Sequence, residues 1–157
     1  MKAIGSSIFG GLADVGPLLM RFGVGAVFAV HGWNKFNDGP DKFAAVLKGL
    51  DVPFPEVTAW LVTIAEGVGG VLLIVGLLTR LVTLPLIATM IGAIVLVKTD
   101  IGFIVPDSPG AELDTALLAG LAGLLLIGPG RLSIDGVLGM ETAVAPRRNR
   151  EAAHADT

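Results

Sequence analysis

Four long apolar stretches leave this chain one environment to fold in. They run over about 15–35, 57–79, 81–98 and 110–129, each near the roughly 17–25 residues an α-helix needs to cross a bilayer. The last is the shortest, and Glu112 and Asp114 at its start belong near the water interface. Of the residues, 53% are hydrophobic and 16% charged, where soluble domains carry roughly 25% charged. Lipid offers the backbone no hydrogen-bond partner, so each span must pair its own N–H and C=O groups. The fold class read from this pattern is all-α, a transmembrane four-helix bundle. Lys2 ahead of the first run admits a signal peptide, but three more runs follow and no small-residue cleavage site closes it. It is read as a retained helix.

The expected organisation is a segment 1–14, a membrane domain 15–139 and a polar, disordered tail 140–157. Residues 36–56 form a long loop with an amphipathic middle, Asp41 to Leu50, and Thr79 with Arg80 forms a tight turn between the second and third spans. Pro85 is assigned to the first turn of the third span, where a missing N–H matters least. Four spans put both termini on one side, with Lys2, Arg80, Arg131, Arg147, Arg148 and Arg150; Lys35, Lys42, Lys48 and Lys98 fall on the other. The positive-inside rule then gives cytoplasmic termini in a bacterial cytoplasmic membrane. The small-residue pairs Ala65 and Gly69, Ala88 and Gly92, and Ala119 and Gly123 predict close helix packing.

Several chemistries are excluded. A net charge of −3 argues against nucleic acid, and a chain without cysteine supplies no disulfide relay, thiol nucleophile or iron–sulfur ligand. One of the two histidines, His154, lies in the polar tail, which argues against a bis-histidine haem. One His and one Glu in the spans fall short of a metal's ligand set, so no metal site is expected.

What remains is a short set of polar groups inside the spans. Ionisable residues there are costly, tend to face the bundle interior, and tend to pair. At about 100° per residue, Arg21, His31 and Lys35 project from one stripe of the first helix. Counting rise per residue gives the vertical order Arg21, Glu66, His31, Lys35. The expected cluster sets Glu66 between the Arg21 cation and the His31 imidazole, and the glycines after Glu66 let the first helix come close. Glu66 and His31 are the candidate proton relay, and Arg21, His31, Trp33, Lys35 and Glu66 are the candidate ligand-binding set. Trp33 would stack on a flat ring, and a quinone headgroup fits such a pocket. The plainer alternative is an ion pair that fixes helix register, with Trp33 as an interfacial anchor.

Three motifs, "LLMRFGVGAVFAVHGWNKF" (18–36), "AEGVGGVLLIVGLLTRL" (65–81) and "GPGRLSIDGVLG" (128–139), resemble the DoxX family of small bacterial membrane proteins. The positions that carry the resemblance are Arg21, His31, Gly32, Lys35, Glu66, Gly70, Arg80, Gly128, Gly130, Arg131 and Asp135. Lys98 departs from it, since many relatives are expected to place a histidine there. The resemblance implies association with quinone-linked oxidoreductase assemblies and oxidative-stress defence. It does not imply an enzyme acting alone.

Within "GRLSID", Arg131 beyond the helix end is expected to meet the last carbonyls. Ser133 and Asp135 are expected to make turn bonds, while Leu132, Ile134, Val137 and Leu138 lie in the interface. Gly70, Arg80, Gly128, Gly130, Arg131 and Asp135 are accordingly assigned structural roles. The leading functional expectation is a quinone-binding or proton-relaying component of a membrane oxidoreductase assembly. The alternatives are a non-catalytic membrane anchor for soluble oxidoreductase partners and, less favoured, a small-molecule or ion carrier, which usually shows broken helices or inverted repeats.

Overall fold

A computed structural model of the chain describes residues 15–99, 101–105 and 110–140. The segment 1–14 and the tail from 141 onward, including the disorder expected there, lie outside the described residues. The elements are α1 (Val15–Asp38), α2 (Pro40–Gly49), α3 (Pro55–Val75), α4 (Thr79–Gly92), α5 (Glu112–Ile127) and α6 (Ile134–Leu138). A π-helical stretch, Ala93–Lys98, continues α4. Three helical segments are long and apolar enough to cross a membrane: Val15–Asp38, Pro55–Val75 and Thr79–Lys98. At 16 residues α5 is shorter, about 24 Å, and the buried residues Ala111, Gly128 and Pro129 extend its packed length at both ends.

The four long helices close a ring of contacts. α1 lies along α3, α3 against α4, α4 against α5, and α5 returns to α1. Phe28, Leu73, Val82, Leu86, Met90, Leu117, Leu121 and Leu124 fill the middle, taking residues from all four. The buried positions of α1 are Arg21, Gly25, Phe28 and Gly32, a stripe at the 3.5-residue spacing of a helix that packs along its length. α2 is amphipathic, as the 41–50 pattern predicts: Ala44 and Leu47 pack on Ala59 of α3, with Phe43 and Val52 beside them.

Two local assignments are corrected. α3 ends at Gly76, whose φ of 71° is left-handed, and its N–H returns to the Leu72 carbonyl at 2.9 Å while Leu77 N–H reaches the same oxygen at 3.0 Å. Glycine adopts that conformation without a Cβ penalty and stops the helix early. The turn is therefore Gly76–Leu78, and Thr79 and Arg80 open α4 instead of forming the turn. With α4 beginning at Thr79, Pro85 falls inside the helix, past its first turn. Its ring there removes the backbone bond to the carbonyl four residues earlier, that of Leu81.

Candidate functional site

The α1–α3 seam is built from backbone. A Cβ placed on Gly32 would overlap the backbone of Gly67, and one on Gly70 would overlap the backbone of Ala29. One on Gly25 would come within 2.7 Å of the Gly70 carbonyl oxygen. Glycine at these positions lets the two antiparallel helices touch main chain to main chain, which is the contact expected from the glycines after Glu66. It also fixes their relative height: Gly32 stands level with Glu66 and Gly67, and Gly25 level with Gly70 and Ile74.

That height decides the partner of Glu66. The Lys35 ammonium forms a direct salt bridge to Glu66 Oε2. The Glu66 side chain is 4% exposed and the Lys35 side chain 24%. The same ammonium lies 4.9 Å from the centre of the Phe43 ring, a cation–π contact from α2. Beside the pair is a cavity of about 290 Å³, walled by Phe43, Leu47 and Val52 on one side and by Ala88, Gly92, Ala93, Leu96 and Val97 on the other. Thr58 and Thr89 also line it, but their hydroxyls donate to the carbonyls of Pro53 and Leu86 at 3.2 and 2.8 Å. The ionic wall of the cavity is thus Lys35 and Glu66. The π-helical stretch supplies Ala93, Leu96 and Val97 to the opposite wall, and π-turns inside helices are frequent at functional sites.

The expected Arg21–Glu66–His31 cluster is not formed. Arg21, fully buried, lies at the other end of α3: its Nη1 donates to the Ile74 carbonyl at 3.5 Å and its Nη2 to the Leu132 carbonyl. α1 runs past the turn between α3 and α4, so Arg21 sits about 16 Å along the helix from the Gly32 level. His31 is exposed on the outer surface of α1. Its direction is about 80° off that of Arg21, at the edge of the buried stripe rather than on it. Trp33 is exposed as well, and lies on a different face from Glu66. With Phe36 and Trp60 it borders a groove of about 360 Å³ between α1 and α3, floored by Gly32 and Gly67. The ring centres of Trp33 and Phe36 are 6.3 Å apart, and those of Phe36 and Trp60 are 6.4 Å apart. Of the predicted binding set, the structure brings together Lys35 and Glu66 and separates Arg21, His31 and Trp33 from them. Phe43 and the π-helical stretch were not identified from sequence. Phe43 had a signal in the amphipathic pattern of 41–50; the π-turn had none.

Of the residues assigned to structure, Asp135, Gly128 and Gly130 are buried in a second knot, while Gly70 belongs to the α1–α3 seam. Asp135, fully buried, accepts from Leu78 N–H at 2.7 Å, Thr79 N–H at 2.9 Å and the Thr79 hydroxyl at 3.0 Å. Its carboxylate therefore caps the start of α4, where it also meets the positive end of the helix dipole. It holds Leu78 at a φ of 52°, a left-handed angle unfavourable for a γ-branched side chain. Asp135 N–H donates to the Gly76 carbonyl at 2.9 Å, and its charge acts on Arg21. Ser133 caps α6 by accepting from Gly136 N–H at 2.9 Å and donating to Gly130 at 2.6 Å. Gly128 and Gly130 have φ of 88° and 77°, angles that suit glycine at the sharp exit from α5. The carbonyls at the end of α5 are met by Arg80, whose Nε donates to Leu125 at 3.1 Å, a role the sequence reading gave to Arg131. Arg131 itself is exposed at the start of the α6 segment.

The fold and this residue pattern can now be set against known proteins. The DoxX family profile matches residues 16–99. A Bacillus subtilis (strain 168) protein named "Putative oxidoreductase CatD" is 35% identical over 124 residues, covering 78% of this chain and 86% of its own. A Mycobacterium tuberculosis (strain ATCC 25618 / H37Rv) protein named "Uncharacterized membrane protein Rv3486" is 36% identical over 131 residues, covering 75% of this chain and 78% of its own. No solved structure matches the chain significantly. With the profile spanning more than half the chain and both relatives aligned over most of theirs, the chain belongs to the DoxX family of membrane proteins.

Proposed function

We propose that this chain is a membrane component of a quinone-linked oxidoreductase assembly, and that the cavity between α2, α3 and α4 holds the head of a quinone-like molecule against Lys35 and Glu66. One observation carries the reading: an ion pair with a buried carboxylate and a half-buried ammonium forms the ionic wall of a mostly apolar cavity. Holding a carboxylate out of water is costly, so a charge kept at a cavity wall argues for use. Ligand sites are concave and mostly apolar, with a few converging polar groups.

A quinone so held supplies electron and proton carriage within the membrane. The chain's own groups bind and orient it. Lys35 offers N–H donors to a ring oxygen and holds Glu66 in place through their salt bridge. Glu66 holds or releases a proton at its second oxygen, Oε1. Phe43, Leu47 and the Ala93–Val97 wall exclude water, which strengthens both interactions. The chain has no cysteine, so it supplies no dithiol or iron–sulfur electron carrier of its own. A soluble oxidoreductase docking at a bacterial cytoplasmic membrane is the proposed source of electrons. The oxidoreductase name of the Bacillus relative agrees with this reading.

The test is to purify the protein in native lipid and quantify extracted quinone. Wild type retains quinone, Glu66→Gln loses most of it, and His31→Phe keeps it, because His31 faces away from the cavity. Quinone-free wild type that still captures soluble oxidoreductases would favour the non-catalytic anchor. Equal retention by wild type and Glu66→Gln would remove Glu66 from the site.

A further inference from the structure

We infer that the cavity selects a neutral ring whose polar edge donates hydrogen bonds, namely the reduced, hydroxylated form of a quinone-like molecule over the oxidised form, and that Glu66 sets the preference. This rests on the quinone reading above and adds the redox state of the bound form. Three features of the pair lead to it.

The first is charge. Lys35 and Glu66 neutralise one another, so an ionic ligand would bring an uncompensated charge into an apolar cavity, at a cost that a neutral ligand avoids. The second is the balance of donors and acceptors. An ionised carboxylate only accepts, with two lone-pair directions on each oxygen. Glu66 Oε2 is engaged by Lys35, and among the described residues no group donates to Oε1. Glu66 is 3% exposed, so little of it faces bulk water. On the donor side, the Lys35 ammonium gives one N–H to Glu66 and sets its charge over the face of Phe43, which leaves N–H capacity for a ring oxygen. The site therefore presents a donor and an acceptor side by side. A ring hydroxyl meets both, donating to Oε1 and accepting from Lys35, whereas a bare carbonyl accepts from Lys35 and leaves the carboxylate without a donor. The third feature is size. About 290 Å³ is at the bottom of the roughly 300–1,000 Å³ range of small-molecule pockets. It takes one ring head.

The experiment uses full-length protein in lipid nanodiscs under anaerobic conditions. The probes are a decyl-tailed benzoquinone and its two-electron-reduced hydroquinone, with binding read by equilibrium dialysis. The hydroquinone is expected to bind wild type at least about tenfold tighter, the scale of one added hydrogen bond to a charged group. Glu66→Gln replaces the carboxylate by a neutral amide, breaks the ion pair with Lys35 and is expected to abolish the preference, leaving both forms weakly bound. The wild-type ratio decides the matter even if that variant fails to fold. Equal binding of the two forms, or tighter binding of the quinone, overturns this inference and leaves the quinone reading standing. Binding of neither form overturns both.

Discussion

Gly32→Leu is expected to destroy the α1–α3 pairing, with a loss of stability above about 3 kcal/mol, the upper end of ordinary overpacking. Overpacking is usually limited because a neighbouring side chain changes rotamer. Here a Cβ on Gly32 meets the backbone of Gly67, and that backbone lies in the middle of a helix. Neither helix can give way without parting from the other along its length. Gly70→Leu should behave alike, since its Cβ would meet the backbone of Ala29. The control is Gly23→Ala in the same helix, with nothing within 4 Å of the added carbon. It should hold or raise stability, by up to about 1 kcal/mol from helix propensity. Thermal unfolding in mild detergent, followed by circular dichroism, separates the three.

The second large effect is at Asp135, where Asp135→Ala is expected to cost about 3 kcal/mol, because buried donors lose a charged acceptor. The substitution removes three hydrogen bonds to Leu78 and Thr79 and leaves the buried Arg21 without the carboxylate that acts on it. Asp135→Asn keeps an acceptor for the α4 cap and should cost less. If Arg21 and Asp135 are coupled, adding Arg21→Met to Asp135→Asn should cost less than the sum of the single changes. Strict additivity in that double-mutant cycle would show that Asp135 acts as a helix cap alone.

These two sites mark where the sequence was legible and where it was not. Length and apolarity of the runs were enough for the bundle, since a lipid-embedded chain has few other ways to pair its backbone. Glu66 stood out as the ionisable residue inside the second span, and the glycines after it do form the close contact. Its partner was not legible. A helical wheel gives direction around an axis but not the height of the neighbouring helix. That height is set by Gly32 on Gly67 and Gly70 on Ala29, and it moves Glu66 from between Arg21 and His31 to the Gly32 level, within reach of Lys35. The residue types in "GRLSID" indicated capping, but the helix that Asp135 caps is α4, whose start lies 56 residues away in sequence. For the same reason Arg80, rather than the nearby Arg131, was not foreseen at the end of α5.

The separation of the two cavities gives the central claim its most direct test. A photoreactive azido-quinone, added to the protein in lipid and mapped by peptide mass spectrometry, reports which wall it touches. Label on Phe43 or Leu47 of α2 and on the Ala93–Val97 stretch, competed by unlabelled quinone, is the result expected of a site at Lys35 and Glu66. Competed label confined to Trp33, Phe36 and Trp60, the groove on the other face of α3, would contradict it.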